Sequence, residues 1–279
     1  MHDEVRLQGK DGFRIRARSA FRRIFHLLLD LIGIRRFKGH SFFGTLLVKP
    51  AVVADFGAHR GEFFASVKAE YPVSRALLLE ADPVLAESLK VTFGNEADVL
   101  HAALVGGNKG ATIMFTRSIE PEASSVFSER VAIYGIANQV KVPTVDFAAA
   151  LRHLGGRVDL VKLDIEGAEV DVLQTALPFD LAACGQLTVE FHDNTQPITR
   201  RDIDRVYRHM RCQGYGVVNA NWTDVDDILF VNLRRIPAGR RLRVRCRIAL
   251  VNWLFVLRGA LFLSGGLLRR FRWNQLFLP

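Results

Sequence analysis

The chain has 279 residues, 49% hydrophobic and 24% charged, enough to bury a sizeable core and too apolar for a disordered polypeptide. Cys184, Cys212 and Cys246 are odd in number, widely separated and lack metal-ligand spacing, which fits a reducing compartment better than a secreted disulfide framework. The net charge of +9 is divided unevenly: residues 1–50 hold 11 Lys/Arg and 4 Asp/Glu, residues 234–279 hold 11 Arg and no acid, and the span between holds 16 basic and 25 acidic side chains. The positive charge therefore marks the two ends as partner surfaces, around an acidic central domain.

The first expected element is a short helix over the apolar run from Phe21 to Ile32, flanked by basic residues and ended by Gly33. The run is too short to span a bilayer, and Asp3 and Glu4 at the start argue against a signal peptide. Two roles are open for it: packing on the domain, or lying in a membrane interface with its arginines among anionic headgroups.

From Ala51 onwards strand-like and helix-like segments alternate. Ala51–Phe56 reads as a buried strand, Glu62–Glu70 as a helix, Arg75–Glu80 as a strand, and Pro83 opens the next helix. Val99–Leu104 reads as a third strand and Thr112–Phe115 as a fourth, at an edge or in an insertion. Val158–Asp164 with a helix over Ala168–Leu177, then Gln186–Glu190 with a helix from Thr199 to Gln213, form two further pairs. Tyr215–Val218 and Ile228–Val231 close the sheet as a hairpin. This alternation predicts an α/β, Rossmann-like, doubly wound and mostly parallel sheet. The expected division is a basic amphipathic N-terminal arm at 1–48, a central domain at 49–234, and an Arg-rich apolar C-terminal arm at 235–279. Within the last, the 21 residues Ile248–Leu268 suffice for a hydrocarbon core of ~30 Å, but Arg258 near the middle costs ~2.5–3.5 kcal/mol. Peripheral contact, a span and a soluble helical subdomain all stay open.

Chemistry concentrates at strand ends, where doubly wound folds bind ligands. Asp55-Phe56-Gly57-Ala58-His59-Arg60-Gly61 lies at the first strand-to-helix turn. Gly57 and Gly61 are expected to let backbone approach a cofactor, and Asp55 to accept hydrogen bonds near a cationic cofactor tail. The G-x-x-x-G spacing lacks the dinucleotide fingerprint. Glu80 ends the second strand, where an acid can accept both hydrogen bonds of a ribose diol, and Asp82 before Pro83 suits the helix cap instead. Lys162-Leu163-Asp164-Ile165-Glu166-Gly167-Ala168-Glu169 and Thr188-Val189-Glu190-Phe191-His192-Asp193 bring further polar groups to the same edge.

These segments, with Val142-Pro143-Thr144-Val145-Asp146, resemble the FkbM family of S-adenosylmethionine-dependent methyltransferases over about half the chain. The resemblance implies a methyltransferase fold, S-adenosyl-L-methionine as cofactor, and O-methylation of sugars, glycans or other hydroxylated metabolites. His59 departs from the family's more usual Asn. The cofactor-binding set expected on this basis is Asp55, Gly57, Ala58, His59, Gly61, Glu80, Ala81, Ala103 and Asp164. His192 is the first candidate for the base that removes the acceptor's proton, since an ordinary imidazole pKa of ~6.5 suits it. Asp164, Glu166 and Glu190 are expected to orient the acceptor or, as a second role, hold a divalent cation; the metal requirement is open. The alternatives are a nicotinamide-dependent oxidoreductase and a non-catalytic membrane-docking protein on the same fold. The basic arms suggest an anionic membrane surface as partner, at the cytoplasmic inner face, with no aromatic-interleaved platform for nucleic acid. The oligomeric state is not legible.

Overall fold

The computed structural model describes residues 22–120, 123–192, 198–219 and 227–262. Asp193 and the end of the apolar stretch beyond Phe262 lie outside the described residues. The chain opens with helix α1 over 22–31 and the hairpin β1 (Ile34–Phe37) and β2 (His40–Phe43). There follow β3 (Ala51–Phe56), α2 (Glu62–Glu70), β4 (Val73–Glu80), α3 (Pro83–Phe93), β5 (Asp98–His101), β6 (Ala103–Val105), β7 (Thr112–Ser118) and α4 (Ser128–Val131). The second half holds β8 (Ile136–Asp146), α5 (Phe147–His153), β9 (Val158–Leu163), α6 (Glu169–Thr175), α7 (Pro178–Ala183), β10 (Cys184–Glu190), α8 (Arg200–Cys212), β11 (Tyr215–Val218), β12 (Asp227–Asn232) and α9 (Ala238–Phe262).

The central sheet has seven strands in the order β11-β12-β10-β9-β3-β4-β5. Pairing is parallel except along β12, which runs antiparallel to both neighbours. The expected closing hairpin thus inserts its second strand between β10 and β11. Side chains alternate between two cores, as a sheet covered on both faces requires. Val53, Ala76, Leu78, Leu160, Leu229 and Val231 face one core, while Ala54, Leu77, Leu79, Val161, Ile228 and Phe230 face the other.

Two expectations change. Val99–Leu104 is not one strand: it breaks at Ala102, leaving β5 on the central sheet and β6 in a separate three-stranded sheet, β6-β8-β7. Most of β8 was not anticipated, because residues 136–141 are largely exposed and polar and show no period-two apolar pattern.

The flanking segments share the first core. Phe25, Leu29 and Ile32 of the N-terminal segment and Val244, Ile248 and Val251 of α9 join the same cluster as Val53, Phe64 and Leu78. Asn252 is buried and ties α9 to the end of β11: its Nδ2 donates to the Val217 carbonyl at 2.9 Å and its Oδ1 accepts from the Asn219 N–H at 3.2 Å. The β1–β2 hairpin is held by the buried Gln186 of β10, whose Oε1 accepts from the Phe43 N–H at 2.8 Å and whose Nε2 donates to the Phe43 carbonyl at 3.1 Å. Among the described residues no helix is long and apolar enough to cross a membrane.

Replacing Gln186 by Leu strands a buried backbone donor and acceptor of Phe43, so urea unfolding should show a loss of about 2–4 kcal/mol.

Candidate functional site

Strand order reverses between β3 and β9, and there the carboxyl ends of neighbouring strands diverge into a crevice. The crevice is a cavity of about 490 Å³ lined by the β3–α2 turn, the ends of β4, β9 and β10, and residues of β6 and β7. A second cavity of about 570 Å³, beside α5 and α6, holds no cluster of buried titratable groups among the described residues.

The β3–α2 turn is left-handed at Gly57 (φ 74°), His59 (φ 51°) and Gly61 (φ 76°). The Gly57 and Ala58 N–H groups both donate to the Leu79 carbonyl, at 2.9 and 3.0 Å, which presses the turn against β4. The reason for glycine at 57 and 61 differs from the expected one. A Cβ at Gly57 would stand 1.8 Å from the Asp164 carbonyl oxygen, and one at Gly61 would stand 2.4 Å from the Phe93 ring. Both spaces are filled by the protein itself, and only Gly57 borders the cavity, through its backbone. Asp55 is also relocated: it is completely buried, does not line the cavity, and accepts from the Phe64 N–H of α2 at 3.3 Å.

Glu80 sits where expected, at the end of β4 on the cavity wall. Its Oε2 accepts from the His59 N–H at 2.7 Å and its Oε1 from the Asp82 N–H at 2.9 Å, so Gly57, His59 and Glu80 belong to one wall. Each carboxylate oxygen retains acceptor capacity. Burial raises the Glu80 pKa above the usual carboxylate range, against the lowering effect of those two backbone bonds. Asp82 caps α3, its Oδ1 accepting from Val84 N–H at 2.8 Å and Leu85 N–H at 3.3 Å, so the capping task does not fall to Glu80. Ala58, Ala81 and Ala103 line the same cavity, with Ala102, Leu104, Phe115 and Val126 extending an apolar wall. The buried Nε2 of His59 has no hydrogen-bond partner among the described residues.

The segment Lys162–Glu169 divides its labour. Lys162 is buried within β9, and its Nζ lies 3.4 Å from Asp55 Oδ1, 3.2 Å from Asp164 Oδ2, and donates to the Gly57 carbonyl at 2.6 Å. Burial opposes its charge, but the two carboxylates prevail and raise its pKa; Lys162 correspondingly holds Asp164 well below the usual carboxylate range, against burial. Glu166 lines the cavity with a left-handed φ of 56° and pairs with the buried Arg130. Burial raises its pKa, and His192 and Arg130 oppose the rise. Glu169 is fully buried and folds its own loop, accepting from the Ile165 N–H at 2.9 Å and the Gly167 N–H at 3.1 Å.

His192 does not fit the expected base. It does not line the cavity among the described residues, and its Nδ1 lies 3.0 Å from Glu169 Oε1. Its Nε2 lies 3.5 Å from Glu166, 3.8 Å from Asp164 and 3.9 Å from Glu190. Burial disfavours its charge, yet the carboxylates of Glu169, Glu166 and Asp164 raise its pKa to about 10. An imidazolium at neutral pH cannot take a proton; it stabilises the carboxylates around it. His40 and Lys38, from the β1–β2 hairpin, line the cavity and carried no sequence motif. His40 Nε2 lies 3.5 Å from Asp164 Oδ2 and 4.0 Å from Glu190 Oε2. Lys162 was legible in retrospect, since a lysine inside an apolar strand must find partners for its charge.

Gly57→Ala should cost about 3 kcal/mol or more, read by thermal unfolding, because it adds a clash with backbone to a strained φ. Because the folded pKa of His192 lies above its ordinary 6.5, its stabilising contribution is complete below pH 6.5 and is lost as pH rises through about 10. The stability difference between wild type and His192→Gln, from urea unfolding across pH, should shrink over that window.

Residues 55–217, more than half of the chain, match the family model described as the methyltransferase FkbM domain. No curated protein matches the sequence. Similar solved structures include the FkbM methyltransferase of Methylobacillus flagellatus KT, with 16% identity over 68% of this chain and 46% of that one, TM-score 0.40. This chain therefore spans less than half of that protein's length. Others are the precorrin-6y C5,15-methyltransferase of Geobacter metallireducens GS-15 (11% identity, 66% and 80% coverage, TM-score 0.35) and the magnesium protoporphyrin IX methyltransferase of Synechocystis PCC 6803 with bound S-adenosylmethionine (12% identity, 78% and 79% coverage, TM-score 0.35). The family match weighs against the nicotinamide alternative: the chain belongs to the FkbM family of S-adenosylmethionine-dependent methyltransferases.

Proposed function

We propose that the enzyme methylates a hydroxyl oxygen of a sugar, a glycan or another hydroxylated metabolite, and that it works at the inner, anionic surface of a membrane. The observation that carries the acceptor reading is the convergence of Asp164, Glu166 and Glu190, all within 3.9 Å of His192 Nε2, on a cavity that Glu80 and the β3–α2 turn also line. The membrane reading is supported by the excess of arginine in both terminal segments.

The residues present suit the cofactor. Glu80 has acceptor capacity for ribose hydroxyls, the Gly57–His59 backbone and the unpartnered His59 Nε2 offer polar contacts to an amino-acid tail, and Ala103, Leu104, Phe115 and Val126 form an apolar wall for a purine. The half-buried carboxylates of Asp164, Glu166 and Glu190 on the same cavity favour a cation beside them. Bound S-adenosylmethionine supplies a methyl group on a positively charged sulfur, which is already a strong electrophile.

The protein's own task is then to align the acceptor oxygen and take its proton. Asp164 and Glu190 accept hydrogen bonds from acceptor hydroxyls, and His40, close to both, holds them in place. Glu166 receives the proton: it borders the cavity, and burial makes it more basic than an ordinary glutamate. Asp164, held strongly ionised by Lys162, is the poorer base.

Glu166→Gln should lower kcat by about 10²–10⁴-fold while leaving S-adenosylmethionine affinity near wild type. Glu80→Gln should show the opposite division, weakening cofactor affinity in calorimetric titration. An unchanged kcat in Glu166→Gln would remove it as the proton acceptor.

A further inference from the structure

Helix α9 carries two apolar stripes on opposite sides. Val244, Ile248, Val251 and Phe255, spaced i, i+4, i+7 and i+11, are buried against the sheet. Leu242, Cys246, Leu250 and Trp253, spaced i, i+4, i+8 and i+11, are exposed, with Leu242 73%, Leu250 41% and Trp253 52% accessible. At about 100° per residue the centres of the two stripes lie nearly half a turn apart. Arg243 flanks the outer stripe on one edge and Arg245 on the other, and the chain has no acid from Leu233 onwards.

Helix α1 repeats the arrangement. Phe25 and Leu29 enter the same core cluster as Val244 and Ile248, while Ile24, Leu27 and Leu31 stay exposed. Both helices therefore cover one side of the sheet and turn apolar side chains outward. An amphipathic helix turns its polar face to water and buries one apolar face in protein; a second apolar face edged with arginine suits neither.

We infer that the outer stripe of α9, with that of α1 beside the same core, docks on the surface of an anionic lipid bilayer. Leu242, Leu250 and Trp253 would enter the boundary between headgroups and acyl chains, and Arg243 and Arg245 would meet lipid phosphates. Charge favours this occupant over a second copy meeting face to face, because such a contact would set arginine edges against each other with no acid on α9 to neutralise them. The net-negative central segment would be repelled from the same surface, which orients the enzyme. This inference deepens the membrane part of the proposed function and is independent of which hydroxyl is methylated.

The test is co-sedimentation of the full chain with vesicles of phosphatidylcholine mixed with phosphatidylglycerol, against pure phosphatidylcholine. Binding to the mixed vesicles is expected, weakening as salt rises. The exposed-site variant L242Q/L250Q/W253Q should partition at least roughly tenfold more weakly, and R243Q/R245Q by about fivefold per arginine. Wild-type fluorescence should shift to the blue on vesicle addition by a component that Trp253→Phe removes. Equal partition of all variants would overturn the inference. So would absence of vesicle binding, including the case where light scattering shows a dimer that L242Q/L250Q/W253Q dissociates. Methyl transfer to a soluble hydroxylated acceptor without vesicle binding would sink the docking alone; vesicle binding without any hydroxyl methylation would sink the acceptor reading alone.

Discussion

The site depends on the buried ammonium of Lys162. It lies between Asp55 on β3 and Asp164 after β9 and donates to the Gly57 carbonyl, joining the two strands at the point where the sheet reverses direction. Removing water from three charged groups is expensive, and the geometry offsets this only because all three remain together. Asp55 in turn holds the first turn of α2 through the Phe64 N–H, so a single charge cluster sets both the cavity floor and the helix that bounds it. Gly57 belongs to the same construction: its missing Cβ allows the turn after β3 to touch the loop after β9.

Around that cluster the acids outnumber the cations. Glu80, Asp164, Glu166 and Glu190 border the cavity, with Glu169 behind them, while Lys38, Lys162, Arg130 and His192, whose pKa the carboxylates raise to about 10, are the compensating groups. Such a surplus is costly for an empty apolar-walled cavity and is relieved by a cationic ligand, which is the charge of the family's cofactor. His192 stands behind this wall as a fixed positive charge, and its value lies in keeping neighbouring carboxylates ionised and close.

The family-matched segment does not make the site alone. The β1–β2 hairpin precedes it and delivers His40 and Lys38 to the cavity, fixed there by Gln186 bonding both backbone groups of Phe43. Helix α9 follows it and is tied to β11 through Asn252. One side of the sheet is thus completed by the segments that carry the positive charge, which places surface chemistry and core packing in the same helices.

Period and punctuation in the sequence determined the alternation of strands and helices, the buried parallel strands, the cap at Asp82 and the placement of Glu80, Asp164, Glu166 and Glu190 at strand ends. These are local matters: side-chain spacing, turn residues and a helix cap depend on near neighbours in the chain. Tertiary structure alone decided that Asp55 turns inward, that Gly61 makes room for Phe93, that carboxylates surround His192 and raise its pKa, and that His40 reaches the cavity from a segment with no motif. Each of these depends on what lies beside a residue across the sheet, where desolvation and neighbouring charge, which vary with three-dimensional distance, set the outcome.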